Sequence, residues 1–285
     1  MATVTHHPPK YGKLVTILSV DGGGIRGIIP GVLLEYLESQ LQAASTCTSL
    51  NAHLSDICIA TSAAPTYLPS HYFTNKDKDG KSEEFNLIDG GMAANNPSLA
   101  AICEISKQIA KGNPDFETMK AMDCTRFLLI TLGTGSNKTE QKYNAKMSAK
   151  WGTVSWIYYN GSNPIIDVFS EASADMVNYH NCVLFQAFDS VDNHLRIDDD
   201  TLKGDLASVD IATNENLNNL VKKGKELLNK PLTRINLATG IYEPVPNGGT
   251  NAEALKSFAL QYGKPLQFNK SNRQISNSIN KLTCV

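Results

Sequence analysis

The stretch with the clearest capacity for chemistry is the glycine-rich motif Asp21-Gly22-Gly23-Gly24-Ile25-Arg26-Gly27. It follows an apolar, β-branched run at residues 13–18 and precedes residues 28–42, where leucines recur at helical spacing. A glycine loop between a strand and a helix can adopt positive φ and can bring the free N–H groups of the helix start close to a ligand. The motif therefore predicts a loop that binds a negative charge, either a phosphate or an oxyanion that develops during a reaction.

Three glycines of this motif, Gly22, Gly24 and Gly27, also satisfy the G-x-G-x-x-G pattern of dinucleotide-binding loops. Such a site needs an acidic residue at the end of a second strand about 20 residues further on, and the region after the first predicted helix offers no such strand. Dinucleotide binding is therefore disfavoured. A tight turn without a ligand is the simpler interpretation, although a tight turn does not require an arginine at position 26.

A second motif of this kind, Asp89-Gly90-Gly91, follows a predicted strand. Asp-Gly is a favoured turn pair, which would make Asp89 a structural residue. A carboxylate at the end of a strand is also where open α/β sheets place their chemistry. These residues alone leave the two interpretations balanced, and the presence of both glycine motifs in one chain favours the functional one.

The composition excludes several classes of protein. The 285 residues are 41% hydrophobic and 19% charged with a net charge of −2, which gives no electrostatic basis for binding nucleic acid. No apolar run could span a bilayer, and residues 1–13 lack the apolar core of a secretory signal. The six cysteines form no C-x-x-C pair, so we expect reduced thiols in a cytoplasmic protein, without a metal site or a disulfide framework. The run Asp198-Asp199-Asp200 lacks an EF-hand glycine pattern and is typical of a solvated loop.

Strand-like and helix-like segments alternate along the chain, which predicts an α/β fold with a mostly parallel central sheet. Residues 56–62 are expected to form a short buried strand, residues 75–84 a turn between two strands, and residues 126–132 the clearest buried strand. Helices are expected from about Pro97, over 164–188, over 217–228 with Gly224 weakening the middle, and over 252–262. The helix at 164–188 carries an apolar stripe formed by Ile166, Phe169, Met176, Val183 and Ala187.

Taken together, the two glycine motifs resemble those of the patatin-like family of lipid acyl hydrolases. The resemblance extends from Lys13 to about Glu243, is close to the plant patatins, and continues through residues 60–69, 95–97, 132–135, 167–176 and 198–212. It implies a three-layer α/β fold, in which helices cover both faces of a mostly parallel sheet, within a patatin-like domain at residues 1–243. Residues 244–285 are expected to form a linker, a short helix and a polar tail.

The resemblance also implies a mechanism. The family uses a serine–aspartate dyad, in which serine attacks the ester carbonyl and aspartate is the base, without a metal cofactor. Asp89, in the motif Asp89-Gly90-Gly91, corresponds to that base. The residues that correspond to the oxyanion loop are Gly22, Gly23, Gly24, Arg26 and Gly27. The implied substrates or ligands are membrane phospholipids or galactolipids, which a cytoplasmic protein would meet by peripheral contact with membranes.

The sequence departs from the family at the nucleophile. The family's serine lies in a G-x-S-x-G elbow between a strand and a helix, and no serine of this chain has glycine at both of those positions. The interval near residues 43–51 is too short to hold the family's elbow and its helix, so an internal block has no counterpart here. Ser62, flanked by alanines, is a weak substitute because alanine tolerates the strained elbow poorly, and Ser136 is a weaker one.

We therefore expect a lipid acyl hydrolase fold that cannot run the family reaction, because Asp89 lacks its hydroxyl partner. The alternative is a non-catalytic lipid- or anion-binding or storage protein that retains the glycine loop. A third hypothesis is an aggregation-prone product, because loss of a central strand exposes sheet edges and apolar faces. The sequence indicates no oligomeric state.

Overall fold

The computed structural model describes residues 14–41, 54–76, 82–116, 119–136 and 142–262. The strands in this part of the chain are β1 (Val15–Val20), β2 (His71–Lys76), β3 (Ser82–Leu87), β4 (Phe127–Leu132), β5 (His194–Ile197), β6 (Thr233–Ile235) and β7 (Tyr242–Pro244). The helices are α1 (Ile28–Leu41), α2 (Leu54–Thr61), α3 (Gly91–Ala94), α4 (Ser98–Ala110), α5 (Ala145–Ser148), α6 (Thr153–Ile157), α7 (Pro164–Ala187), α8 (Asn214–Asn229) and α9 (Asn251–Tyr262). The interval at 43–51 and the polar tail from residue 269 lie outside the described residues.

Strand β4 is the centre of a parallel sheet with the strand order β1-β4-β5. Leu129 of β4 pairs with Ile17 on one side and with His194 on the other. Every residue of β4 is buried, as expected of a parallel strand whose two faces are both covered by helices. The parallel sheet and the buried strand predicted at 126–132 are confirmed.

One face of this sheet packs against α1, α8 and α9. Its buried cluster includes Leu128, Ile130 and Leu132 of β4 with Ile29, Leu33, Leu220, Leu227 and Leu255 of the three helices. Gly224, in the middle of α8, lies where a Cβ atom would stand 2.9 Å from Cβ of Val32 in α1. The glycine that weakens α8 as an isolated helix thus allows the two helices to approach closely.

The other face of the sheet packs against α4 and α7. Its buried cluster is formed mainly by Ile17, Ile102, Phe127, Leu129 and Phe185. With helices on both faces, the three-layer α/β architecture implied by the resemblance is confirmed.

The two strands predicted on either side of a turn at residues 75–84 are present as β2 and β3, which pair antiparallel. The predicted turn is too long, because β2 continues to Lys76 and β3 begins at Ser82. Phe73 lies opposite Phe85, and their rings stack with centroids 4.7 Å apart. Strand β3 ends at Leu87, two residues before Asp89, so this pair positions the second glycine motif.

The prediction of a buried strand at residues 56–62 is wrong, because α2 occupies Leu54–Thr61. A short apolar run does not distinguish a strand from a helix by its periodicity. The helix places Asp56 in its first turn, where a negative charge is favourable, and leaves Ile59 51% exposed. Asp56 also lies 3.0 Å from His71 Nε2, which ties α2 to β2.

The long helix predicted at 164–188 is confirmed as α7, but its apolar stripe does not face the core. Phe169 and Met176 are 51% and 52% exposed. Asn178 and Asn181 of α7 are buried instead, and both have hydrogen-bond partners. Asn178 Nδ2 donates to the Tyr242 hydroxyl, and Asn181 Nδ2 donates to Ser98 Oγ at 2.7 Å. Polar partners in distant segments therefore orient this helix together with Phe185, which is buried in the core.

The C-terminal part of the described chain contains the antiparallel pair β6–β7 and then α9. Leu255 and Phe258 of α9 belong to the core cluster beneath α1 and α8. Within the described residues, no helix combines the length and apolar composition needed to cross a bilayer.

Candidate active site

The glycine loop follows β1 and is held by backbone contacts from distant segments. The amide of Asp21 donates to Leu132 O at the end of β4, and the amide of Gly22 donates to Asn95 O, both at 2.9 Å. Gly24 has a φ of 56°, a left-handed conformation that favours glycine, and a Cβ atom added there would stand 2.1 Å from Val209 O. A side chain at Gly24 would collide with that carbonyl, so the position requires glycine.

Two amides of this loop remain available for a ligand. Whereas Gly22 and Ile25 donate to Asn95 O and Val209 O, the Gly23 and Gly24 amides have no acceptor within the part of the chain that the structure describes. They lie where β1 turns into the single 3-10 turn Gly24–Gly27 that leads into α1. Paired backbone donors at a strand-to-helix turn suit an oxyanion or a phosphate oxygen.

Arg26 stabilises the loop from within. Its Nη1 donates to Gly135 O at 2.6 Å, and its Nε lies 3.4 Å from Gly23 O. Burial lowers the pKa of Arg26, although nearby Asp198 acts in the opposite direction. The guanidinium therefore connects the glycine loop to the loop after β4, while Gly27 is open to solvent at the end of the turn.

Asp89 lies between β3 and α3 in a well-defined turn. Its amide donates to Ala63 O at 3.0 Å, and its Oδ1 accepts a hydrogen bond of 2.7 Å from the Gly91 amide. Burial raises the pKa of Asp89, and the Gly91 hydrogen bond partly opposes that shift. A half-buried carboxylate with a raised pKa is a better proton acceptor than an exposed one.

Asn95 brings the two glycine motifs together. Its carbonyl oxygen accepts from the Gly22 amide, and its Oδ1 lies against Gly22 on one side and Gly91 on the other. A Cβ atom at Gly91 would stand 3.2 Å from Asn95 Oδ1 and 3.1 Å from Asp89 Oδ1. The structure therefore places the carboxylate of Asp89 and the glycine loop on two sides of one asparagine, a role that the sequence motif Asn95-Asn96-Pro97 did not reveal.

The serines considered as substitutes do not lie in an elbow. Ser62 follows the end of α2, is exposed, and its amide donates to Ile59 O at 3.2 Å. A nucleophile elbow needs a strand before the serine and a helix after it, and Ser62 has a helix before it. Ser136 follows β4, where its amide donates to Asp199 O at 2.8 Å.

A buried charge network lies behind the glycine loop. Nη2 of Arg196 lies 2.6 Å from carboxylate oxygens of both Asp21 and Asp198. Burial would lower the pKa of Arg196, but Asp198 and Asp21 raise it well above its usual value. Asp21, in turn, has a pKa raised by burial despite its contact with Arg196.

The expectation that Asp198-Asp199-Asp200 forms a solvated loop is wrong for the first two residues. Asp199 is buried and pairs with Lys230 at 2.7 Å and with Lys223 at 3.2 Å. Asp198 accepts hydrogen bonds from the amides of Gly135 and Asp199. Asp198 and Asp199 follow β5 at the carboxyl edge of the sheet, where Asp198 binds the loop after β4 and Asp199 binds the α8 region.

Comparison with known proteins identifies relatives along most of the chain. Patatin-like protein 3 of Arabidopsis thaliana is 39% identical over 387 aligned positions, covering 90% of each chain. Patatin-like protein 1 of the same plant is 50% identical over 398 positions, covering 96% of each. The Solanum tuberosum protein named "Probable inactive patatin-3-Kuras 1" is 38% identical over 388 positions, covering 95% of this chain and 99% of that protein. No family model matches the chain. These identities over nearly the full length of each relative show that the chain belongs to the patatin-like family.

Proposed function

We propose that this chain retains the base and the oxyanion loop of a lipid acyl hydrolase but does not hydrolyse esters through a serine–aspartate dyad. The observation that carries the proposal is that the base is held in place in a chain without a nucleophile elbow. Asp89 Oδ1 accepts a hydrogen bond of 2.7 Å from the Gly91 amide. No serine of the chain lies in a G-x-S-x-G elbow.

The geometry indicates which parts of the chemistry remain. In a dyad reaction, the base removes the proton of the serine as its oxygen attacks the ester carbonyl, and backbone amides receive the resulting oxyanion. Asp89 has the raised pKa of a base, and Gly23 and Gly24 have the free amides. The catalytic groups of such a site act as a unit, so absence of the nucleophile removes most of the rate enhancement.

The comparisons support this proposal in two ways. The alignment with patatin-like protein 1 runs over 398 positions against the 285 residues of this chain, so more than a hundred positions lie opposite gaps in it. We propose that these gaps include the elbow segment, near residues 43–51. One relative also carries the word inactive in its name, which is in keeping with loss of activity in this chain.

The proposed ancestral substrates are the ester bonds of membrane phospholipids or galactolipids, without a metal cofactor. A chain that keeps this site would act in the cytoplasm at the surface of membranes. Among the described residues, no group of three His, Cys, Asp or Glu side chains could hold a metal ion.

A chromogenic short-chain ester and a fluorophosphonate probe test the proposal. We expect hydrolysis at the rate of the uncatalysed reaction, no change on Asp89→Asn, and no covalent labelling by the probe. An active patatin assayed in parallel is the positive control. Turnover that disappears in Asp89→Asn, or labelling that mass spectrometry maps to one serine, would show that the chain has a working nucleophile.

The free amides of Gly23 and Gly24 favour a second candidate function, the non-catalytic binding of an anion such as the phosphate of a lipid headgroup. Gly24→Ala should abolish phosphate binding measured by NMR, because φ of 56° and the nearby Val209 carbonyl both disfavour a side chain. Gly31→Ala, outside the loop and with no atom within 4 Å of the added Cβ, is the matched control and should bind normally. Equal phosphate binding by the two variants would exclude this loop as the site.

A further inference from the structure

Residues 142–166 differ in composition from the rest of the chain. They contain Lys142, Lys146 and Lys150 but no aspartate or glutamate, so this segment is positive in a protein whose net charge is −2. They also contain both tryptophans of the protein, Trp151 and Trp156. Aromatic and basic residues are enriched together in protein surfaces that lie at the boundary between water and lipid.

An aromatic cluster holds this segment in place. The ring of Trp151 lies 5.6 Å from that of Tyr143, 5.2 Å from Trp156 and 4.8 Å from Tyr159, measured between centroids. Tyr159 and Ser162 exchange two backbone hydrogen bonds of 3.0 Å, which close the turn before α7. The short helix α6 is therefore supported by half-buried aromatic rings.

Three residues in and directly after α6 are apolar and exposed. Val154 is 78% exposed, Ile157 51% and Tyr158 66%, and together they form the α6 surface. Helix α6 packs against α7, whose first turns expose Ile165 and Phe169. Apolar side chains exposed in neighbouring elements are typical of a surface that binds a partner or a membrane.

Two lysines beside the α6 surface are available to bind anions. Lys142 is paired with Asp167 at 2.9 Å, whereas Lys146 and Lys150 are exposed and have no ion pair within the described residues. The next acidic residues of α7 come four and eight positions after Asp167, one and two turns further along the helix. The segment with the free lysines therefore attracts negative charge.

This combination favours a membrane over a protein as the partner. The cores of protein–protein interfaces are depleted of lysine. At a lipid surface, by contrast, a lysine keeps its ammonium group among the headgroups while its hydrocarbon stem covers apolar surface. Tryptophan and tyrosine rings lie at the same depth.

Helix α7 connects the α6 surface to the candidate active site. It packs against α6 and against α3, which begins two residues after Asp89. Asp167 and Glu171 of α7 are also close enough to Arg26 to act on its charge. A membrane bound at the α6 surface would therefore lie near both glycine motifs.

We propose that the α6 surface binds an anionic bilayer, with Lys146 and Lys150 at the headgroups and Val154 and Ile157 in contact with the acyl chains. This inference rests on the membrane contact included in the proposed function and assigns a surface to it. The ester and fluorophosphonate assays use soluble reagents and do not require this surface, so the two proposals can fail separately.

Vesicles of equal parts phosphatidylcholine and phosphatidylserine test the proposal, with pure phosphatidylcholine vesicles for comparison. Because both tryptophans lie beside the α6 surface, their fluorescence reports contact there. We expect emission to shift to shorter wavelength with the anionic vesicles, and affinity to be lower by about tenfold or more for phosphatidylcholine. High salt should weaken the anionic binding. No shift with anionic vesicles, or equal affinity for the two kinds of vesicle, would overturn the proposal.

Matched isoleucine variants locate the surface. Ile157→Ser should weaken binding to the anionic vesicles by about tenfold or more, because an apolar side chain no longer leaves water. Ile241 is 63% exposed in the turn between β6 and β7, and Ile241→Ser should bind like the parent protein. Undiminished binding by Ile157→Ser, or the same loss in both variants, would overturn the assignment to α6 while leaving the membrane contact itself intact.

A charge-matched pair of double variants tests the lysines. Lys146→Gln with Lys150→Gln should weaken anionic binding by about tenfold or more, whereas Lys222→Gln with Lys225→Gln on the exposed side of α8 should not. Equal losses would show that net charge, and not this surface, controls binding. A dimer in solution that Ile157→Ser dissociates would assign the α6 surface to a second copy of the chain and would overturn the proposal.

Discussion

Asp89 and Asp199 are both shielded carboxylates, and their hydrogen-bond partners make them chemically different. Asp89 has one amide donor, and burial raises its pKa. Burial would also raise the pKa of Asp199, but hydrogen bonds from Lys230 and Thr201 more than reverse this and lower it to about 2. The first carboxylate is suited to accept a proton, and the second to remain charged and hold two lysines in place.

The buried ion pairs of Asp199 should contribute measurably to stability. Because the pKa of Asp199 in the folded protein lies below its ordinary value of 3.8, its contribution is complete above pH 3.8 and is lost as the pH falls toward 2. Asp199→Asn should lower the free energy of unfolding by about 2 kcal/mol at pH 7, measured by urea denaturation, and the difference should narrow below pH 3.8.

Asp200→Asn is the matched control, because Asp200 is half-buried and has no ion pair within the described chain. Its free energy of unfolding should follow that of the parent protein. A constant difference between parent and Asp199→Asn at every pH would show that the lost stability does not come from the charge.

At the scale of elements, the sequence predicted helices and strands correctly where a continuous apolar run or a regular spacing of apolar residues allows only one kind of element. The continuous apolar run of β4 is such a case. The sequence was misleading for α2, because a short apolar run fits a helix and a strand equally well. It was also misleading for α7, because hydrogen bonds to Tyr242 and Ser98 in distant segments help to orient that helix. The site follows the same rule. Both glycine motifs are visible in the sequence, but the asparagine between them and the Arg196 network depend on contacts across the fold.

The contact between α1 and α8 gives a prediction at this scale. Alanine favours helices over glycine by about 1 kcal/mol, yet a Cβ at Gly224 would stand 2.9 Å from Val32 Cβ and 3.2 Å from Ile29 O. We expect Gly224→Ala to destabilise the protein by about 1–3 kcal/mol in thermal or urea unfolding, because the helices must separate.

Gly31 in α1 is the matched control, since no atom lies within 4 Å of a Cβ placed there. Gly31→Ala should stabilise the protein by up to about 1 kcal/mol. If both variants gained stability, helix propensity rather than the approach of α1 to α8 would control the glycine position in α8.

At the scale of the whole molecule, two apolar surfaces stand out. Strand β1 pairs with β4 along one edge, no strand among the described residues pairs with its other edge, and Leu18 is 45% exposed. The outer face of α7 exposes Phe169 and Met176. An open, apolar strand edge can pair with another chain. The hypothesis of an aggregation-prone product therefore depends on the free edge of β1 and on the apolar outer face of α7.

The glycine loop is tied to the ends of several separate segments: Leu132 O, Asn95 O and Val209 O accept from its amides, and Gly135 O accepts from Arg26. A loop fixed from so many directions has little conformational freedom left to lose when an anion arrives. Association there should carry a small entropic penalty and need no induced fit. Discrimination between anions would then come from shape alone, because the loop cannot adapt to a poorly matched one.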